Sequence, residues 1–369
     1  MKEVLPEVYA ETRQSLLRQA ADNSTVDLQQ VFLDLTTTVV GVLAYDVSLA
    51  DIRSVGLADT VKMEIDASSP FSKAFDYASD HVGLRFQNPL YHITELFNGA
   101  QFWASLAEVK RFGREIVATA RKRRSHAAFE SLITNEEVVF GSLMDSLMET
   151  FNNSSVVADA ALNFLSAGRD TTAQSLTWAF YAMMRHPELV RDLRQEIDGV
   201  LESGTDVDMS KLQPSTVPRI MAFYYEALRL YPPVPFEIKQ CEVDVTLPDG
   251  TFLPKTSVVL WCIWSMNRAK ETFGDDAHLF RPSRWLDERG RLVNKTPFEF
   301  PVFNGGPRAC LGKKMAEVMG AWLILHMVRD FDFDEIRDPA QPERERVSQN
   351  SLTLPMQNGL PCKVKKRKS

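Results

Sequence analysis

The sequence predicts a mainly α-helical fold with small antiparallel β-sheets. Apolar residues recur at three- and four-residue spacing from Leu5 to Arg185, and prolines are few there, as expected of amphipathic helices. Residues 242–264 instead alternate in polarity, are rich in β-branched side chains and contain an Asp-Gly turn, so they predict a small antiparallel sheet. A second hairpin is predicted at 351–365.

Composition narrows the class of protein. The chain has 369 residues, 44% hydrophobic and 25% charged, and we expect a single domain over 1–369. Its 42 basic and 49 acidic residues give a net charge of −7, which argues against nucleic acid as a partner. The four cysteines form no CxxC pair, so neither a disulfide framework nor a zinc site is expected.

No membrane segment is expected from the sequence. Residues 1–17 lack the apolar stretch of a signal peptide, and no apolar run reaches the roughly 18 residues that span a bilayer. Basic clusters at 121–124 and 363–369 are interpreted as a solvated helix end and a frayed tail, with contact to an anionic membrane as the alternative.

Three helices carry the candidate functional residues. A long helix is predicted at 155–186, and Pro187 suits the first turn of the next one. A second helix is predicted at 214–230, where the prolines that follow end it. A third begins after Cys310.

A solitary cysteine lies in a loop at 303–312, with the sequence FNGGPRACLG. Gly306 and Gly312 would let a flat molecule approach the main chain, and Arg308 supplies a planar cation suited to a carboxylate. Cys310 precedes an apolar helix, whose N-terminal end favours a thiolate. This combination is what a cysteine-ligated haem requires. By itself, Cys310 would more often be a buried cysteine beside a turn, and a cysteine nucleophile would need a histidine base.

The whole pattern, F-x-x-G-x-R-x-C-x-G, is more specific, and it resembles the haem loop of the cytochromes P450. The resemblance implies that Cys310 is the axial thiolate ligand of the iron in haem b. Lys239 stands where relatives often have an arginine that contacts a haem propionate, and lysine keeps the charge without the bidentate fork. The cofactor-binding residues implied in this way are Phe303, Gly306, Arg308, Cys310, Gly312 and Lys239.

A second motif, AGRDTTA at 167–173, lies within the predicted long helix. Gly168 and the threonine hydroxyls predict a kink there, between apolar flanks. The helix resembles the oxygen-binding helix of the P450 family. By this resemblance Thr171 hydrogen-bonds the bound oxygen, and Asp170 relays protons from solvent.

A third motif places Glu226 and Arg229 at i and i+3 on the helix at 214–230. Such a pair is ordinary on a helix surface, but its apolar flanks predict burial, and a buried pair needs a further partner. By resemblance that partner is Arg284, in the segment FRPSRW at 280–285. The role of this network is expected to be structural.

The resemblance implies a monooxygenase that inserts one oxygen atom from O2 into a hydrophobic substrate. Electrons would come from NADPH through a separate cytochrome P450 reductase. Lys313 and Lys314 are candidates for contacting an acidic electron donor, with a solvated helix face as the alternative. A non-catalytic P450 remnant is an alternative for the whole chain. An isomerase or dehydratase of the same fold is another, although the retained Asp170 and Thr171 count against it.

The substrate pocket is expected to be apolar. The stretch at 303–317 and the segment at 267–285 resemble fungal alkane and fatty-acid hydroxylases, a group that also contains tailoring enzymes of secondary metabolism. Fatty acyl chains, polyketides and terpenoids therefore stay open. The candidate pocket residues, each of which could equally be core, are Asn163, Phe164, Val234, Pro235, Phe236, Leu352, Thr353 and Leu354.

The sequence departs from the family at its start. Eukaryotic members normally begin with a membrane anchor and carry a W-x-x-x-R motif that contacts a haem propionate. No tryptophan ahead of the long helix has an arginine four residues on. We therefore expect an N-terminally truncated chain or a partial gene model. The full-length protein is expected at the endoplasmic reticulum membrane, and the chain as given is expected to be cytoplasmic or peripheral.

Overall fold

The computed structural model describes residues 1–45, 70–85, 88–134, 142–200, 212, 215–341 and 343–367, with side chains of the helix at 100–134 described up to residue 125. The described chain is mainly helical with small antiparallel sheets, which confirms the predicted fold class. The α-helices are α1 (Val4–Ala21), α2 (Leu28–Tyr45), α3 (Pro70–Arg85), α4 (Tyr91–Asn98), α5 (Ala100–Thr134), α6 (Leu143–Thr150), α7 (Ser154–Arg185), α8 (Pro187–Val200), α9 (Pro218–Leu230), α10 (Ile263–Met266), α11 (Lys270–Phe273) and α12 (Lys313–Asp330). The strands are β1 (Thr25–Asp27), β2 (Phe236–Gln240), β3 (Val245–Thr246), β4 (Phe252–Leu253), β5 (Val258–Cys262), β6 (Phe331–Glu335) and β7 (Pro361–Lys366).

The chain divides into two compact units. The first comprises Met1–Thr177 together with Asp330–Ser369, and the second comprises Trp178–Arg329. The expectation of a single domain over 1–369 stays a prediction.

The first unit joins the two ends of the chain in one sheet, with the strand order β1-β7-β6. Val26 pairs with Cys362, and Phe333 pairs with Val364, in antiparallel register. The helices α1 and α2 pack beside this sheet, with Leu5, Leu28 and Phe32 fully buried. Because β7 pairs with β1 and β6, the predicted hairpin at 351–365 is wrong, and residues 351–355 precede the sheet rather than pairing with β7.

The expectation that no stretch of the chain is long and apolar enough to span a membrane is wrong for α2. By length and composition, Leu28–Tyr45 passes that test. More than half of it, 56%, is buried inside the protein, as in the core helices of soluble proteins. Thr36 and Thr37 in its interior donate their hydroxyls to main-chain carbonyls. This satisfies their hydrogen-bonding groups within the core.

The second unit places β2 against β5, and β3 against β4. The predicted Asp-Gly turn closes the β3–β4 pair, with Gly250 at φ +89°, a conformation that favours glycine. The prediction of a small antiparallel sheet in 242–264 is therefore confirmed for β3 and β4. The strand β5 pairs instead with β2, which precedes that segment.

Two helices in the second unit meet at close range. A Cβ atom placed on Gly320 of α12 would lie 2.5 Å from the ring of Tyr224 in α9. Glycine at this position therefore lets the two helices approach closely.

The boundaries of the functional helices differ slightly from their predictions. The long helix predicted at 155–186 runs over Ser154–Arg185. The helix predicted at 214–230 begins only at Pro218, since proline suits the first turn and has no N–H to donate further in. Residue 214 itself lies outside the described residues.

Candidate functional site

The cysteine loop is built from two short 3-10 turns, Pro301–Phe303 and Gly306–Arg308, followed by α12. The main-chain N–H of Cys310 donates a 2.7 Å hydrogen bond to the carbonyl of Phe303, which closes the loop. Gly306 has φ +64°, a left-handed conformation that glycine adopts without strain. Cys310 is a free, exposed cysteine. The fold therefore holds this thiol on a closed loop and presents it outward.

The surroundings of the loop fit a flat, carboxylate-bearing cofactor. No heavy atom lies within 4 Å of a Cβ placed on Gly306, so that face of the main chain is open. Arg308 is exposed and makes no hydrogen bond or ion pair to any residue that the structure describes. Leu311 is 86% exposed and Phe298 is 89% exposed, an unusual surface for large apolar side chains. An exposed thiol, an open main chain, a cation and apolar surface are together the groups that a haem needs.

Other predicted cofactor residues lie in the same unit. Lys239, on β2, is half-exposed, with its Nζ 3.5 Å from Glu237 Oε2. The other oxygen of Glu237 accepts a 2.9 Å hydrogen bond from the side-chain amide of Asn304, inside the cysteine loop. This bond attaches the strand of Lys239 to the loop of Cys310. Sequence reasoning missed Glu237 and Asn304, since 67 residues separate them and neither belongs to a spaced motif.

Phe303 and Gly312 complete the predicted loop residues. The Phe303 ring lies under Lys313, with Nζ 5.6 Å from the ring centroid. A Cβ on Gly312 would lie 3.9 Å from the Cys310 sulfur, so glycine keeps the space beside the thiol open.

Elsewhere in the second unit, the structure brings Glu226, Arg229 and Arg284 together. Glu226 and Arg229 are fully buried and form a bidentate pair with N–O distances of 2.8 Å, and Nε of Arg284 lies 2.9 Å from Glu226 Oε1. Two further donors were missed from the sequence: the Trp285 indole at 2.9 Å and the Arg281 main-chain N–H at 2.7 Å. Both oxygens of the Glu226 carboxylate therefore accept hydrogen bonds, which a buried charge requires.

Arg229 also connects distant main-chain segments. Its guanidinium donates to the carbonyls of Asn267, Ala277 and Leu279 at 2.7, 2.6 and 3.0 Å. Arg284 donates to the carbonyl of Phe273 at 2.9 Å. The two arginines therefore organise the loop-rich segment around one buried carboxylate.

In the first unit, the motif at 167–173 lies in an uninterrupted stretch of α7. The Thr171 hydroxyl donates a 2.6 Å hydrogen bond to the Ala167 carbonyl, one turn earlier in the helix, and the predicted kink at Gly168 stays a prediction. Thr171 is half-buried, whereas Asp170 is only 9% exposed.

Asp170 belongs to a charged cluster centred on Arg169. The guanidinium, 1% exposed, lies 2.6 Å from Asp170 Oδ1 and 2.7 Å from Asp76 Oδ1, and its Nε donates to the Thr37 hydroxyl at 3.0 Å. Burial raises the pKa of Asp170 to about 6, with Asp76 and Asp80 acting in the same direction and Arg169 opposing them. Sequence reasoning missed Arg169, although a cation between apolar helix residues is itself a signal.

None of the eight predicted pocket residues is buried. Asn163, Phe236 and Leu352 are exposed, and the other five are half-buried. Their side chains therefore lie on surfaces of the units and not in the packed interior. Those of the first unit are Asn163, Phe164, Leu352, Thr353 and Leu354, and those of the second are Val234, Pro235 and Phe236.

Basic residues near the cysteine loop and in the cluster at 121–124 have acidic side chains nearby. Lys313 and Lys314 are exposed on the first turn of α12, and Lys313 Nζ lies 3.9 Å from Glu317. In the first unit, Arg124 pairs with Glu149 at 2.9 Å. The interpretation of 121–124 as a helix end is wrong, because α5 continues to Thr134. The interpretation of 363–369 as a frayed tail is wrong for residues 363–366, because they pair within the sheet as part of β7.

Comparison with known proteins identifies the family. The family model for cytochrome P450 matches residues 1–362, so the chain belongs to the cytochrome P450 family, as the motifs predict. Among similar proteins, cytochrome P450 52A1 of Candida tropicalis is 31% identical over 91% of this chain, and cytochrome P450 monooxygenase cyp1 of Mycosarcoma maydis is 32% identical over 95%. The chain spans 61% and 56% of the lengths of these two relatives.

Proposed function

We propose that this protein acts as a haem-thiolate monooxygenase, which inserts one oxygen atom from O2 into an apolar substrate. The observation that carries the proposal is the exposed Cys310 thiol on its closed loop, beside an open glycine face and an arginine with no described partner. The family supports the same reading. The alternative of a non-catalytic remnant finds no support in the comparisons.

The loop residues would hold the cofactor. Cys310 would bind the iron through its sulfur, just ahead of the first residue of α12. Arg308 and Lys239 are the cations for the haem carboxylates, and the main chain at Gly306 and Gly312 would lie against the flat ring. When bound, the thiolate-ligated haem supplies the oxygen-activating chemistry.

The α7 cluster suits a proton-handling role. A carboxyl with a pKa near 6 holds and releases a proton close to neutral pH, which is what a general acid requires. Arg169 joins Asp170 to Asp76, whose side chain is 49% exposed, so the buried carboxyl has a charged neighbour in contact with solvent. Thr171 would supply a hydroxyl hydrogen bond beside Asp170.

For the substrate, we propose a fatty acyl chain. Most of the candidate pocket side chains are apolar and none is charged, which favours a long hydrocarbon over a charged metabolite. Polyketides and terpenoids share this apolar character and are the alternatives that a substrate screen distinguishes. A place in secondary metabolism is likewise a proposal.

NADPH-cytochrome P450 reductase is the proposed electron donor, with the exposed Lys313 and Lys314 as its contact. We further propose that the full-length protein works at the endoplasmic reticulum membrane.

The test is a carbon-monoxide difference spectrum of the reduced protein. We expect a Soret band at the position of thiolate-ligated haem, its loss in Cys310→Ala, and its retention in Cys241→Ala, a matched change of a half-buried cysteine outside the loop. Reconstitution with the reductase and NADPH should then oxidise dodecanoic acid. A wild-type protein that takes up no haem, or shows only non-thiolate haem, would contradict the proposal.

A further inference from the structure

A short chain segment in the first unit, residues 347–357, carries three of the candidate pocket residues and is here called the terminal loop. Its two arms are joined by main-chain hydrogen bonds, from Gln349 N–H to the Pro355 carbonyl at 2.7 Å and from Gln357 N–H to the Val347 carbonyl at 2.9 Å. Gln29 of α2 fixes its base through two hydrogen bonds to the main chain of Met356, at 2.7 and 3.1 Å. The base of the loop is therefore anchored to the core.

The other end of the terminal loop is attached to α3. The side-chain amide of Gln349 donates a 2.5 Å hydrogen bond to Asp80 Oδ2, and the Ser351 hydroxyl also hydrogen-bonds this carboxylate. Burial raises the pKa of Asp80, and these two hydrogen bonds oppose that change. Leaving the partly buried Asp80 carboxylate without hydrogen-bond donors would cost free energy, so these bonds keep the terminal loop attached to α3.

Gly83 lies one turn further along the same face of α3. A Cβ placed on it would lie 3.1 Å from the Cα and carbonyl carbon of Ser351, and 3.3 Å from the nitrogen of Leu352. These atoms belong to the main chain, so they cannot move aside as the end of a flexible side chain would. Gly83 therefore permits the main chains of α3 and the terminal loop to touch.

The contact has a consequence for the pocket candidates. Leu352 and Thr353 follow the fixed residue Ser351 directly, and Leu352 is 43% exposed. Because the terminal loop around Leu352 is hydrogen-bonded both to Gln29 and to Asp80, the position of this side chain is fixed although it is not part of the core. The helix α3 also contacts α7, since Asp76, one turn before Asp80, forms an ion pair with Arg169 at 2.7 Å.

We infer that Asp80 and Gly83 form a clamp that determines substrate specificity. Asp80 holds the terminal loop by hydrogen bonds, Gly83 sets how closely the loop approaches α3, and together they place Leu352 and Thr353 against the substrate. Neither clamp residue needs to touch the substrate, so both are positioning residues. The inference rests on the proposed function, because it assumes that the terminal loop lines the substrate site.

The first test enlarges Gly83. In the holoenzyme, Gly83→Ala and Gly83→Val should move the terminal loop, and the KM for dodecanoic acid should rise by about fivefold or more in the valine variant, while kcat changes by less than about twofold. The preference for dodecanoic over hexadecanoic acid should shift as well. Gly199→Ala is the matched control, since a Cβ there meets nothing within 4 Å, and it should leave KM and kcat unchanged.

The second test needs no substrate or haem. Amide hydrogen exchange at residues 347–357 should speed up by about tenfold in Asp80→Ala, because the loop loses its attachment, and by much less in Asp80→Asn, which keeps an acceptor oxygen. Exchange in β6 and β7 should stay as in the wild type, which reports that the first unit is still folded.

The two tests separate the inference from the function beneath it. A wild type that shows no thiolate-ligated haem overturns the proposed function, and one that binds haem but oxidises no fatty acid overturns the proposed substrate. In either case the exchange rates decide the clamp alone. A working enzyme whose KM and loop exchange are unchanged in both Gly83→Val and Asp80→Ala overturns the clamp. Parallel losses of kcat and of exchange protection throughout the first unit would also overturn it, since they would show a general folding defect.

Discussion

The indole Nε1–H of Trp285 donates a 2.9 Å hydrogen bond to Oε2 of the fully buried Glu226. The same carboxylate accepts from both Arg229 and Arg284 and from the main chain at Arg281. Trp285 is itself 1% exposed and packs against Phe300, just before the cysteine loop, with ring centroids 4.7 Å apart. One carboxylate thus joins the helix α9 to the segment that leads into the loop.

Removal of the Glu226 carboxylate should destabilise the protein strongly. Glu226→Ala removes the shared carboxylate from two buried or nearly buried guanidinium groups, of which Arg284 keeps Asp276 at 3.4 Å. We expect a loss of about 3–5 kcal/mol in the free energy of unfolding, measured by urea denaturation. Asp334→Ala, which breaks the exposed Asp334–Lys365 pair, is the control and should cost less than about 1 kcal/mol. Equal losses in the two variants would contradict the structural role of the network.

Asp170 should make stability depend on pH in a defined direction. Its pKa of about 6 in the folded protein lies above the ordinary 3.8, so between these values the folded state holds a proton that the unfolded state has released. The stability contributed by this group therefore falls as the pH rises from about 4 to about 7. Relative to the wild type, Asp170→Asn should gain up to about 3 kcal/mol in the free energy of unfolding across that window.

The control for this titration is an exposed carboxyl with the opposite shift. Hydrogen bonds from Thr251 lower the pKa of Asp249, so its contribution to stability is present at neutral pH and lost on acidification. Because this pKa lies below the ordinary 3.8, Asp249→Asn should lose stability relative to the wild type as the pH rises toward about 4, and the difference should be nearly flat from pH 4 to 7. A flat difference between wild type and Asp170→Asn from pH 4 to 7 would rule out the raised pKa.

The hydroxyl of Thr171 should matter for turnover more than for folding. Among the residues that the structure describes, its one hydrogen-bond partner is the Ala167 carbonyl of its own helix, so Thr171→Ala should change the free energy of unfolding by less than about 1 kcal/mol. If it serves the proton-handling site as proposed, the product formed per NADPH consumed should fall by about tenfold. Thr177→Ala removes an equivalent bond to the Ala173 carbonyl two turns away and should leave that ratio unchanged; equal effects in both variants would contradict the assignment.

A side chain added at Gly320 should destabilise the protein. A Cβ there would lie 2.5 Å from the Tyr224 ring, so Gly320→Ala should push α12 from α9 and cost about 1–3 kcal/mol despite the better helix propensity of alanine. Thermal unfolding measures this loss of stability, and Gly199→Ala is the control because a Cβ there meets nothing within 4 Å. A Gly320→Ala protein as stable as the wild type would show that the two helices are less closely packed.

Much of the fold could be predicted because it is encoded locally. The helical periodicity, the long helix near 155–186 and the Asp-Gly turn all follow from residues that are neighbours in sequence. The hairpin predicted at 351–365 failed for the converse reason. An alternating stretch such as β7 shows that it is a strand but not which strands it pairs with, and its partners β1 and β6 lie elsewhere in the chain.

The sequence by itself determined the family and the residues of its motifs, because the cysteine loop and the Glu226–Arg229 spacing are patterns within a few consecutive residues. Only the tertiary structure decided what those residues contact. The Arg169–Asp76 pair joins positions 93 apart, and no local pattern marks it. Such partners depend on how separate helices pack, since burial forces each charge to find a neighbour that the packing brings within reach.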